Sequence, residues 1–116
     1  MDIPTLETIA LSLPGVEKEI KWKSDLVFMV GSKMFFVIDL EGPPHSASFK
    51  VQEERFEELA ATTYFRPAPY FARAGWVAIS AGSPLSGDEV EAYVREAHRI
   101  VAGKLTRKVR TQLGLQ

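Results

Sequence analysis

Leu26-Val27-Phe28-Met29-Val30 and Lys33 to Leu40 are two β-rich runs separated only by Gly31-Ser32. A two-residue Gly-X loop predicts a type II′ hairpin, because glycine takes the positive φ that the first turn position requires. In that register Val30 faces Lys33, Met29 faces Met34, Phe28 faces Phe35 and Val27 faces Phe36. Paired residues share a face. Phe28, Phe35 and Val37 therefore fall on one side of the ribbon, and Met29, Met34, Phe36 and Ile38 on the other. Both sides are apolar, as in central strands that are covered on both faces. The second face is covered either by the chain's own helices or an ordered loop, or by a partner subunit or ligand.

The remaining elements follow from periodicity. Ile3, Leu6, Ile9, Ala10 and Leu13 recur at helical spacing, with Asp2 as N-cap, Pro4 in the first turn and Pro14-Gly15 as the stop. Val16, Ile20 and Trp22 alternate with Glu17, Glu19, Lys21 and Lys23, which predicts a strand with one apolar face. Ser46 to Val51 alternates cleanly, with Ala47, Phe49 and Val51 inward. Glu53 and Glu54 favour a helix start, and Phe56, Leu59, Ala60 and Thr63 give one narrow face of a helix over residues 53–63. Residues 64–75 have no period, and two prolines in three residues exclude a helix interior or a central strand. Their aromatics, Tyr64, Phe65, Tyr70 and Phe71, predict a loop packed on the body. Trp76 to Ala81 alternates again.

Ser86 and Glu89 form a capping box, with Leu85 and Val90 as its staple. The helix they open turns Val90, Tyr93, Val94, Ala97 and Val101 inward and ends at Gly103, or continues through Leu105 and Val109. Helix, three or four strands, helix, one or two strands, helix: hairpin-linked strands with helices define a two-layer α+β domain with an antiparallel sheet. The 116 residues suit one domain.

Composition removes whole classes of function. The chain has no cysteine, which excludes disulfides, thiolate metal sites and a cysteine nucleophile. No apolar run is long enough to span a bilayer, and Met1-Asp2-Ile3-Pro4 opens no secretory signal, so a cytoplasmic location is expected. His45 and His98 have no further ligands at metal spacing and are expected at the surface or as caps. Ser48, His45 and Asp39 lack the nucleophile elbow and oxyanion loop that a hydrolase needs. Gly31-Ser32-Lys33 lacks the first glycine of a phosphate loop. No catalytic residue, metal or cofactor is expected.

Net charge is −1, which does not single out nucleic acid as a partner. The charge is uneven, however. Residues 95–110 hold Arg95, Arg99, Lys104, Arg107, Lys108 and Arg110 against Glu96 alone. Lysine and arginine bind phosphates and aromatics stack on bases. The candidates for such a surface are Lys33 at the hairpin tip, Lys50, and Arg66 and Arg73 in the aromatic loop, with Trp22, Tyr70 and Trp76 as aromatic neighbours. The competing role of those aromatics is packing.

Leu13-Pro14-Gly15-Val16-Glu17, Trp22, Phe28 to Phe35, Pro67-Ala68-Pro69-Tyr70, Trp76-Val77 and Leu105 together resemble the MmcQ/YjbR family of small bacterial proteins over about residues 3–106. Lys23 departs from the glycine that many members carry, and Ala97-His98 from a common Ser-Tyr pair. The resemblance implies an α+β fold like secretion chaperones and a DNA-binding role through a double-wing motif of β-hairpins, with no catalytic residues to transfer. The expected function is thus a non-enzymatic DNA-binding protein. The alternative is a protein-interaction or small-ligand module, or a homodimer, that uses an apolar sheet face.

Overall fold

The computed structural model describes residues 3–41, 46–68, 74–80 and 85–115. Asp2, His45, Tyr70, Phe71 and Arg73 lie outside them. Helix α1 spans Ile3–Ser12, and strands β1 to β4 span Val16–Lys21, Asp25–Val30, Lys33–Asp39 and Ser46–Lys50. Helix α2 (Glu53–Ala60), strands β5 (Arg66–Pro67) and β6 (Trp76–Ser80), and helices α3 (Gly87–Gly103) and α4 (Arg107–Gln112) complete the order. The six strands form one sheet in the order β1-β2-β3-β4-β6-β5, with every neighbour antiparallel. Helices α1 and α3 pack on one face, so the fold is the expected two-layer α+β arrangement.

The inward positions of α1 are those its period selects: Leu6 and Ala10 are buried, as is Leu13 just past its end. Helix α3 opens on the capping box, in which Ser86 Oγ accepts from the Glu89 amide at 3.1 Å and Glu89 Oε1 accepts from the Ser86 amide at 3.0 Å. Its buried stripe is Val90, Val94, Ala97 and Val101. Beneath the helices lie Phe28, Phe35, Phe36, Ile38, Phe49 and Ile79, all essentially inaccessible to water.

The β2–β3 hairpin forms where the sequence places it, but its details differ. Gly31 and Ser32 both have positive φ, +58° and +66°, so the turn is type I′, not II′. Val30 pairs with Lys33 and Met29 with Met34, after which the register shifts and Phe28 pairs with Phe36 and Val27 with Val37. Phe35 is the extra residue of a β-bulge. Phe35 and Phe36 therefore both face the helices, where Phe36 stacks on Phe28 with centroids 5.3 Å apart. Ile38 joins them, and Val37 moves to the opposite face.

That opposite face holds a second apolar cluster: Val27, Met29, Val37, Ala68, Trp76 and Ala78, with Met34 at its margin. Each of the six buried members is at most 9% exposed in the single chain. The fold itself thus covers the face that sequence alone left open to a partner or ligand.

Further details refine what the periodicity predicts. Strand β1 is a sheet edge, and the apolar side chains Ile20 and Trp22 are 55% and 58% exposed. Trp22 has left the strand: it and Lys23 have φ of +50° and +76° in the turn to β2. Helix α2 ends at Ala60, short of Thr63. Of the two alternatives for the C-terminal helix the stop at Gly103 holds: Lys104 caps α3, and Thr106 Oγ1 opens a separate α4 by accepting from the Val109 amide at 3.2 Å.

His98 is not a surface residue. It is 8% exposed, and its ring meets Phe35 edge-on. Nε2 lies 2.8 Å from the Pro14 carbonyl oxygen. That oxygen can only accept, so Nε2 carries the proton. The bond ties α3 to the turn between α1 and β1. Within the loop after α2, Phe65 and Ala68 are buried as expected, while Arg66 and Pro67 form a short strand at the sheet edge, the position that proline tolerates.

Candidate nucleic-acid interface

Three cations from separate elements converge at one end of the sheet. Lys33 begins β3 beside the hairpin turn, Lys50 ends β4, and Lys104 caps α3. They line a groove of roughly 350 Å³ whose other walls are Met34, Ala74, Trp76, Val101 and Leu105. The antiparallel meander brings the start of β3 and the end of β4 to the same end of the sheet, and the stop of α3 sets Lys104 above them.

Lys50 shows what this costs electrostatically. Burial pushes its ammonium below the usual lysine range, the Lys104 charge adds to that, and Glu53 opposes it. Its Nζ donates to the Ala74 carbonyl. A desolvated ammonium beside a second lysine favours an anion in the groove. A wider hollow of roughly 870 Å³ shares Lys50, Ala74 and Lys104 and is bounded on its far wall by Glu53, Glu54 and Glu57 of α2. The basic character is therefore concentrated on the hairpin and α3 side.

Helix α4 adds Arg107, Lys108 and Arg110 at this end. It is held there by apolar contacts: Leu105 and Val109 close over Gly31, and Leu113 over Gly15. The rest of the basic strip is neutralised locally. Arg95 Nε donates to Glu91 at 2.8 Å and Arg99 Nε to Glu96 at 2.9 Å. Bonds from Arg99 first, and also from Gln52, hold the Glu96 carboxyl below its usual range. No ion pair among the described residues engages Lys33, Lys50, Lys104, Arg107 or Lys108. Those residues also contain no cluster of histidine and carboxylate that could hold a metal ion, and no helix long and apolar enough to cross a membrane.

The structure thus brings Lys33, Lys50 and Trp76 together. Trp76 is not an aromatic surface, however; it lines the groove but is buried. Arg66 stands apart on β5, and Trp22 sits in the turn at the opposite end of β2. Arg73 and Tyr70 are outside the described residues. Lys104 was visible in sequence only as one member of a basic strip. The break in the helix after Lys104 is followed by a second N-cap, Thr106.

The architecture defines a small α+β protein with an antiparallel sheet, two-sided apolar strands and a basic end. The chain belongs to the YjbR family, whose model matches residues 11–100. Two solved structures share the fold. A Deinococcus radiodurans protein with the DUF419 domain is 24% identical with a TM-score of 0.88, covering 98% of this chain and 88% of its own. A Pseudomonas syringae protein is 16% identical with a TM-score of 0.73, covering 87% and 99%. No curated protein matches the sequence.

Proposed function

We propose that this chain is a non-enzymatic module that binds duplex DNA through its phosphate backbone, using the basic end of the sheet. The observation that carries this is the convergence of Lys33, Lys50 and Lys104 on one groove, with no ion pair to any of them among the described residues. Arg107, Lys108 and Arg110 extend the same end. Contacts of this kind position a protein on a duplex without reading its sequence.

The test is a salt titration with a fluorescently labelled duplex. Affinity should fall steeply between about 50 and 200 mM salt, in proportion to the number of phosphates neutralised. Lys33→Gln and Lys104→Gln should each flatten the slope by about one unit. Lys23→Gln, in the turn at the far end of the sheet, should leave it unchanged. Absence of binding at the low-salt limit refutes the proposal.

A further inference from the structure

The exposed apolar side chains of this protein are not scattered. Among the described residues the large ones are Leu11, Ile20, Trp22 and Tyr64. Three of these lie along the β1 edge of the sheet. Ile20 belongs to β1 and Trp22 follows it. Leu11 is one helical turn beyond Glu7, whose carboxylate accepts from Lys18 of β1 at 2.5 Å, so Leu11 flanks the same strand. Strand β1 has a single strand neighbour, β2, and its outer backbone groups are open to pairing.

We propose that this edge is a homodimer interface, in which two copies of β1 pair antiparallel about a two-fold axis at Ile20. Charge selects both the partner and the register. In a continuous antiparallel sheet, paired residues share a face, so the axis passes through a residue rather than between two. An axis at Lys18 sets that lysine against itself and Glu17 against Glu19. An axis at Glu19 opposes two copies of Glu19 at its centre, although Glu17 then meets Lys21 outside them, and one at Lys21 opposes two lysines. An axis at Ile20 brings the two exposed isoleucines together and places Glu19 opposite Lys21 twice. Of the registers centred on residues 17 to 21, only the one at Ile20 pairs Val16 to Lys21 with its copy without setting two like charges face to face at the axis. This is the pattern expected of an edge that pairs with its own copy and refuses other strands.

Sedimentation velocity tests it directly. The native chain should form a concentration-dependent dimer. Glu19→Lys and Lys21→Glu each turn two opposed pairs into like pairs and should weaken dimerisation at least about ten-fold. Mixing the two variants restores both pairs, so the equimolar mixture should recover the dimer that neither forms alone. Ile20→Lys, which leaves the ion pairs within the chain intact, should be monomeric. A native chain that stays monomeric at several hundred micromolar overturns the proposal. So does a dimer indifferent to Glu19→Lys and Ile20→Lys, or a mixture that remains monomeric.

Discussion

Gly31→Ala is the substitution whose consequence the structure specifies most fully. Gly31 has φ +58°, where an alanine costs about 1 kcal/mol more than glycine. A Cβ there would stand 2.7 Å from Leu105 Cδ1, 2.8 Å from Cδ2 and 3.2 Å from Val109 Cγ1. Leu105 must turn away, which opens the seam between the hairpin tip and α4. Crowding of this kind costs about 1–3 kcal/mol. The total is about 2–4 kcal/mol, which corresponds to a fall of roughly 1–2 M in the urea midpoint at unchanged slope. The double variant with Leu105→Ala separates the two causes. It removes the clash but not the backbone cost, so the pair should be less destabilising than the sum of the singles by about 1 kcal/mol or more. A loss below about 0.5 kcal/mol for Gly31→Ala, or strict additivity in the double, refutes the contact argument.

Three other outcomes are expected. Lys23→Gly, at φ +76°, should stabilise by about 0.5–1 kcal/mol in the same urea assay, the reverse of the effect at Gly31. Ser86→Ala removes the acceptor for the Glu89 amide and should cost about 1 kcal/mol, read as a lower melting midpoint by circular dichroism. Asp25→Asn should stabilise at pH 7. Burial first, then the Asp39 and Glu41 charges, raise the Asp25 carboxyl above its usual range. The folded state therefore holds that proton more tightly, and stability falls as pH rises through the window just above about 3.9. The advantage of Asn should shrink on acidification below that window, as urea midpoints measured at both pH values would show.

Much of the fold was legible because it is written in local chemistry. The Gly31-Ser32 reversal, the capping box at Ser86 and the helical period of α1 each act over a few residues, and each formed. The failures share a cause: tertiary context decided between local options of similar energy. A run such as Met34-Phe35-Phe36-Val37 fits a regular strand as well as a bulged one, and only the core beneath shows that both phenylalanines belong there. Ser32 is not a residue that advertises a positive φ, so the turn type was hidden. Ile20 and Trp22 alternate correctly, but alternation does not say that β1 lacks an outer neighbour. His98 is polar, and its burial depends on a carbonyl 84 residues earlier in the chain. For the candidate site, Lys33 and Lys50 were legible as exposed cations on strands. Their meeting with Lys104 was not, because it depends on where a helix 50 residues further on stops.

The additional phenylalanine at position 35 also changes the frame in which β3 is read. In the body of the strand, even-numbered side chains face the helices; at the tip, odd-numbered ones do. Lys33 consequently stands on the Leu105 side of the ribbon instead of the Met34 side. A hinge in the alternation uncouples the two ends of one strand, so that the tip can exchange one charge for another while no core position is asked to move.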